Sequence, residues 1–569
     1  MMLSTRRSGH FLGVAALLFF YCSFAHAQGA CPAGLPVSGN NCYFIAANGT
    51  DSNNGTSEAA PWSHAPGMPN CIGKCAAVTP SAGKGFIFRG GDTWHFGNSG
   101  ASPYTGGTWA INNFSGSSGN PIYFGVDQSW FAGSSWARPI LTWDNPVCNA
   151  NTVGGNCNSA TGQFYVTSCA FPSSNMVQFA AWTDFDNFEE TGICEGANGT
   201  PTYNRYGWGH NLTFSNLYIH GWTHVQWNCV NDTGTCTNTS VFLGGSGSST
   251  TPGETIVNTV VDGSDSDPAG AELGKSDFTT VTYNVFRYVS QMVAKNVHLF
   301  HDNLVEHWYC PGDQQDHPNL FEELSEYTAS TTAAVYDNVW RHITSDTNSC
   351  PVQSIVGLWP APQGGNTEYI FNNLTYDEFN AEVLNLGQNS GSMGALAIFN
   401  NTWENSSNGL IYTCQTVSAT VTVANSHDIT NNVGGDFGCS GWQPTKVTNL
   451  LQSHSTANKQ GYTSSETYAY SPADGSGGTV GAGTNETKNF CAALSAAAGS
   501  DSTLNDAASA CTNDTRYACT YNTSNNTVDC PARTVVARPG SGAWDIGAYE
   551  FDPQDPPPAP PTGLTAVVQ

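Results

Sequence analysis

Apolar runs of four to six residues, rich in Val, Ile, Tyr and Phe, recur along the chain between turns of Gly, Asn, Ser and Asp. Segments with an apolar period near 3.6 are almost absent. Short apolar runs bounded by turn residues predict β-strands and very little helix. The runs also repeat. Six of them align on an Asn with apolar neighbours: Leu212-Thr-Phe-Ser-Asn216-Leu-Tyr218, Leu299-Phe-His-Asp-Asn303-Leu-Val305, Val335-Tyr-Asp-Asn338-Val-Trp340, Ile370-Phe-Asn-Asn373-Leu-Thr375, Ile398-Phe-Asn-Asn401-Thr-Trp403 and Ile429-Thr-Asn-Asn432-Val-Gly434. Weaker copies centre on Asn258 and Asn284. From Asn303 the Asn-to-Asn steps are 35, 35, 28 and 31 residues. That spacing fits coils of about 20–25 residues with loops inserted on one side. One short strand per coil face cannot bury its apolar side alone. Stacking coils about 4.8 Å apart solves this and produces a solenoid with parallel sheets. Asn suits the corner of such a coil, because it tolerates left-handed backbone and its amide can bond the Asn stacked above it.

Composition fits this picture. The chain has 569 residues, 17 Lys+Arg against 44 Asp+Glu, and a net charge of −27. This acidity argues against nucleic acid and anionic membrane surfaces as partners. Apolar residues at 39% are too many for a disordered chain. Length alone suggests three or four domains, but the repeat makes one long solenoid the better reading.

The first 27 residues have the three regions of a secretory signal: Arg6-Arg7, an apolar run Phe11 to Phe20, and small residues at Ala25-His26-Ala27. Gln28 is then the first mature residue, and the protein is expected to be secreted, periplasmic or at the cell surface. The apolar run is too short to span a membrane, and no later stretch is long enough. Removal of Cys22 with the signal leaves 18 cysteines. An even number in an exported chain reads as a disulfide framework. Several are close in sequence: Cys31/Cys42, Cys71/Cys75, Cys148/Cys157, Cys229/Cys236 and Cys511/Cys519/Cys530. Cys310 and Cys350 could join neighbouring loops. The connectivity stays open.

The stretch Tyr43 to Thr56 with Pro61-Trp62, the segment Phe88-Arg-Gly-Gly-Asp-Thr-Trp94, Pro121-Ile-Tyr-Phe-Gly125 and the closing Trp544-Asp-Ile-Gly-Ala-Tyr-Glu-Phe551 resemble the right-handed parallel β-helix proteins of the pectate-lyase-like superfamily, secreted bacterial type. The resemblance covers roughly Cys31 to Phe551. It implies an all-β, right-handed parallel β-helix with an N-terminal cap, long inserted loops and disulfides. The expected organisation is a signal at 1–27 and a β-helix at 28–552, then a Pro-rich tail at 553–569. Within the β-helix, 31–145 hold the cap and first coils, 205–440 the central coils, and 441–552 C-terminal coils and cap. One fold hosts many reactions, so the chemistry must come from the site.

His marks the candidate site. His298, His301, His307 and His317 fall close together among Asp302, Glu306, Asp313, Asp316, Glu322 and Glu323. Counting from each aligned Asn, the third positions include Ile219, Val261, Arg287, Glu306, Arg341 and Tyr376. The fourth include His220, Asp262, Tyr288, His307, His342 and Asp377. In register these form two columns, polar at mid-solenoid. Glu306, His307, Arg341 and His342 are the candidate catalytic residues; Arg287, Trp308, Tyr376 and Asp377 are the candidate substrate contacts. An Arg–Glu–Arg column can equally be a plain surface ladder, worth little in water. Insertions at 308–319 and 344–366, with Trp308, Tyr309 and Trp359, adjoin the same coils.

Two functions compete. One is cleavage of an extracellular polysaccharide. A lyase needs a base for the proton beside a uronate carboxylate and cations for the enolate. A hydrolase needs two carboxylates flanking the bond, for which Glu306 with Asp313, Asp316 or Asp377 would serve. Within the superfamily Lys, Arg or carboxylate-held Ca²⁺ supplies the cation. Ca²⁺ is therefore possible here, and no organic cofactor is indicated. Polygalacturonase-like motifs are missing: there is no Asp-Asp pair, and Gly209-His210-Asn211 matches only in part. The alternative is a non-catalytic adhesin, glycan-binding or envelope protein. A monomer is expected in either case.

Overall fold

The computed structural model describes residues 29–553, apart from 196–204, 225–242, 245–253, 266–274, 311–318, 325–331, 346–353, 360–366, 387–394, 406–410, 415–419, 431–443, 458–468 and several shorter stretches. The signal segment, the Pro-rich tail, Trp308, most of both long insertions and any Cys310–Cys350 bridge lie outside the described residues and side chains.

The chain is almost entirely β, and its long sheets are wholly parallel. Each central coil has three strands, for instance Asn319–Leu324, Ala333–Tyr336 and Val339–Ser345, then Ser354–Trp359, Thr367–Phe371 and Leu374–Phe379. Each strand pairs with the corresponding strand of the next coil. Among the described residues, one sheet has 17 strands and the second 13. This is the right-handed parallel β-helix that the motifs implied. We call the face carrying Ala333–Tyr336 the first sheet and the face carrying Val339–Ser345 the second.

Side chains alternate inward and outward along each strand, as parallel pairing requires. Phe300, Val335, Ile370, Ile398 and Val423 stack inside the first sheet; Phe286, Val305, Trp340 and Trp403 stack inside the second. The corner between the two sheets is the repeated Asn. Asn284, Asn303, Asn338, Asn373 and Asn401 form a buried ladder in which each amide nitrogen donates to the next amide oxygen at 2.9–3.1 Å. Each amide nitrogen also donates to a backbone carbonyl of the coil before it, Phe300 O for Asn338, at 2.8 Å. The residue before each ladder position turns left-handed: Tyr283, Asp302, Asp337, Asn372 and Asn400 have φ of 52–56°.

Three of the aligned copies shift in register. In the coils of Asn216 and Asn258 these residues take the left-handed turn position, with φ of 56° and 52°, and Leu217 and Thr259 take the ladder position. An Asn suits either position, so the sequence alone confuses them. In the last copy the ladder position is Ser426, after left-handed Asn425, and Asn432 lies outside the described residues. Ile219 and Val261 therefore point into the core, and His220 and Asp262 join the outer column of Arg287, Glu306 and Arg341.

Capping at the N-terminus uses the expected motif. Gly55 has φ +70°, and a Cβ there would come 2.4 Å from the Trp62 ring, which stacks on Tyr43 at 4.8 Å. Residues 441–552 add one coil, Thr445–Val447 and Leu450–Gln452, and from Ala469 the chain folds back over the outside. Helices Phe490–Ala498 and Asn505–Ala510 bury Leu494 and Ala507 against Leu299, Tyr369 and Phe371 of the first sheet. Cys519, Ala548 and Tyr549 cover Val260, Val285, Leu304 and Val339 on the second. Six disulfides are formed among the described residues: Cys31–Cys42, Cys71–Cys75, Cys148–Cys157, Cys169–Cys194, Cys491–Cys511 and Cys519–Cys530. Among the described residues, no helix is long and apolar enough to cross a membrane.

Asn338 accepts from Asn303 and donates to Asn373 and Phe300 in a buried corner. Asn338→Ala leaves those partners unpaired, so stability should fall by about 2 kcal/mol or more. A lower urea midpoint at unchanged slope is the expected readout. An unchanged midpoint would mean that the ladder does not hold the coils.

Candidate functional site

The outer face of the second sheet carries, coil after coil, an apolar residue and then, two residues on, a polar one. The polar column reads His220, Asp262, Arg287, Glu306, Arg341 and Tyr376. Charge alternates along it in a protein of net charge −27. Arg341 donates to Glu306 Oε2 through Nε at 2.9 Å and Nη2 at 2.7 Å, and to the Tyr376 hydroxyl through Nη1 at 3.1 Å. Arg287 is held more loosely, at 3.5 Å from Glu306 and 3.7 Å from Asp262. Its Nε is buried without a hydrogen-bond partner. The Arg287 guanidinium instead lies over the Tyr521 ring at 4.3 Å and the Tyr288 ring at 4.9 Å.

Beside this column the chain turns outward. Tyr288, His307 and His342 occupy equivalent left-handed positions, with φ of 50–54°. Their rings stack: Tyr288 on His307 at 4.7 Å, and His307 on His342 at 4.9 Å. His342 meets Tyr376 edge-on at 6.0 Å. Burial lowers the His307 pKa, and His342, Arg287 and Arg341 lower it further against the pull of Glu306. Protonation of this imidazole is therefore disfavoured, in part by the Arg287 and Arg341 charges.

Six of the eight predicted site residues thus gather: Arg287, Glu306, Arg341 and Tyr376 in one column, and His307 and His342 beside them. Asp377 lies in register with His342, but its side chain is outside the described set, as is Trp308. His298 and His301 face the first sheet's cover instead: His298 bonds Asp501 at 3.0 Å and His301 bonds Asp302 at 2.8 Å. His220 and Asp262 lie in the polar column itself, one position away from where counting from Asn216 and Asn258 puts them. Glu189, Asp265 and Tyr521 were not singled out; no local pattern marks Tyr521, which arrives from the returning C-terminal segment.

His220 lies between Asp265, at 2.7 Å, and Glu189, at 3.1 Å. Burial works against its charge, but hydrogen bonds to Asp265 and Glu189 prevail and raise its pKa to about 9. His427 is buried on the same sheet against Gln452 Oε1 at 2.9 Å, and burial lowers its pKa to about 4.

Among the described residues, the group close enough to hold a metal is His301, Asp302 and Asp506. Arg516 occupies that position, with Nη2 at 2.6 Å from Asp302 and 2.8 Å from Asp506, and Nε at 3.1 Å from Asp337. Calcium prefers six or more oxygen ligands. A histidine-containing cluster already neutralised by a guanidinium does not fit it.

No protein-family model and no curated protein matches the sequence. Solved structures similar in winding include a GH136 lacto-N-biosidase from Eubacterium ramulus, 12% identical over 73% of this chain and 68% of that one, with a TM-score of 0.40. A pectate lyase is 15% identical over 91% and 98% of the two chains, TM-score 0.39. A rhamnogalacturonan lyase is 12% identical over 68% and 87%, TM-score 0.35. The architecture rests on the strand pairing above, not on these likenesses.

The two histidines give opposite pH signatures. The His220 contribution to stability is complete below its unfolded pKa, about 6.5, and is lost as pH rises through about 9. That of His427 is present above about 6.5 and is lost as pH falls through about 4. NMR of labelled histidines should show both extremes, with the two resonances removed by His220→Gln and His427→Gln. Titration of His220 near 6.5 would contradict the Glu189–His220–Asp265 arrangement.

Proposed function

We propose that this is an exported protein that cleaves an extracellular, uronate-containing polysaccharide at the mid-solenoid corner. The observation that carries this reading is the half-buried His307, stacked on Tyr288 and His342, whose protonation burial and the charges of Arg287 and Arg341 disfavour. The six disulfides support an oxidising compartment. Elimination suits these groups better than hydrolysis. Hydrolysis needs a carboxylic acid with a proton to give, and Glu306 is tied to Arg341 through two hydrogen bonds.

In the proposed step His307 takes the proton from the carbon beside the uronate carboxylate. The electrons left behind form the C=C bond, the glycosidic C–O bond breaks, and the leaving oxygen takes a proton from water. Arg287, held only loosely by Glu306 and Asp262, neutralises the carboxylate as negative charge builds on it. Glu306 positions Arg341, and Arg341 with His342 sets the environment of His307. A non-catalytic glycan-binding reading draws on one observation: the Asp262, Arg287, Glu306 and Arg341 side chains are only 4–14% exposed.

Purified protein should release unsaturated, ultraviolet-absorbing ends from at least one polyuronate. His307→Ala and Arg341→Ala should each lower the rate at least about tenfold. The acid limb of kcat/KM should lie below the ordinary histidine range, about 6.5. Arg287→Ala removes a positive neighbour, which eases protonation of His307 and moves the limb to higher pH. No release from any uronate or neutral glycan would discard the enzyme reading; full activity in both variants would discard this site.

A further inference from the structure

A cavity of about 570 Å³ opens on the same face, towards the N-terminal coils. Its floor is the corner of three successive coils, where Asn187, Asn216 and Asn258 take left-handed turns with φ of 67°, 56° and 52°. Its roof is the tip of the hairpin formed by Thr520–Asn522 and Thr527–Asp529. The roof is held firmly. Cys519–Cys530 closes the hairpin, and Arg138 bridges floor and roof by donating to Asn216 O at 3.0 Å and Asn525 O at 3.1 Å.

We propose that this cavity is a second carbohydrate site, for a neutral, hydroxyl-rich sugar unit, separate from the corner of His307 and His342. Its volume falls in the range of ligand pockets, about 300–1,000 Å³. The chemistry of its lining selects the ligand class. The one described cation lining it, Arg138, spends two nitrogens on carbonyls and faces Glu189 and Asp186, so no net positive charge is left to attract a uronate. Glu189 is itself bonded to His220. What remains is amide. Gln128, Asn187 and Asn258 line the cavity, and among the described residues their side chains have no hydrogen-bond partner. Asn187 is only 7% exposed, so its open amide faces the cavity rather than bulk water. An amide presents donors and an acceptor together, the pattern that sugar hydroxyls satisfy from both sides.

Trp136 supplies the complementary surface. It lines the cavity and rests on Gly90, where a Cβ would come within 2.2 Å of its ring. The indole is thereby packed against the Gly90 backbone, and a sugar's C–H face can stack on such a ring. Because disulfide, guanidinium and ring seat are all in place, little ordering cost remains for binding.

Calorimetric titration of the full mature protein tests this without reference to cleavage. The probes are neutral xylo-, cello-, manno- and galacto-oligosaccharides, with oligogalacturonate and oligoalginate as the charged comparison. At least one neutral series should bind. Trp136→Ala and Asn187→Ala should each weaken it by roughly tenfold or more. The milder Gln128→Ala, on an exposed strand position, should weaken it several-fold with the fold intact by circular dichroism. Binding of no neutral oligosaccharide, equal binding by all three variants, or displacement of the neutral ligand by oligouronate would overturn the proposal.

Discussion

The hydrogen bonding of one buried amide to the next fixes where each coil lies on its neighbour. A parallel sheet has no turn of its own to set its register, and one residue of slip would turn every side chain to the other face. The Asn ladder prevents that slip by spending each amide three ways: on the next amide, on a backbone carbonyl and on a backbone N–H. The polar column is a consequence. Arg287, Glu306 and Arg341 are each three residues past a ladder Asn, so the same register that stacks Trp340 inward stacks them outward.

The returning C-terminal segment then decides how much of that outer face meets solvent. Its helices cover the first sheet, and its hairpin lies over the second, with Tyr521 on Arg287 and Asn525 on Arg138. Arg516 fastens this cover to the solenoid through Asp302, Asp337 and Asp506. Asp302 and Asp337 are almost fully buried, so the pair is costly without the guanidinium, and burial with the neighbouring Asp302 raises the pKa of Asp337 while Arg516 opposes it. Cations are few in this chain, and several of them neutralise carboxylates at these junctions. Low charge and high acidity are therefore compatible with a polar face whose charges are locally matched.

Much of this was legible in the chain. The Asn-centred repeat, the opening motif around Trp62 and the absence of helical periodicity determined a parallel β-helix. Position counting from the ladder brought Arg287, Glu306, Arg341, Tyr376, His307 and His342 together, because stacking turns equal offsets into neighbours. Where the corner's Asn sits at the left-handed turn and Leu217 or Thr259 takes the ladder position, as at Asn216 and Asn258, counting from the Asn is off by one and misplaces His220 and Asp262. Only the tertiary structure decided that register, since it depends on which residue donates across coils. It alone also decided what the C-terminal segment covers: the contacts of Tyr521, Asn525 and Arg516 span hundreds of residues, and long-range packing leaves no periodic trace in sequence.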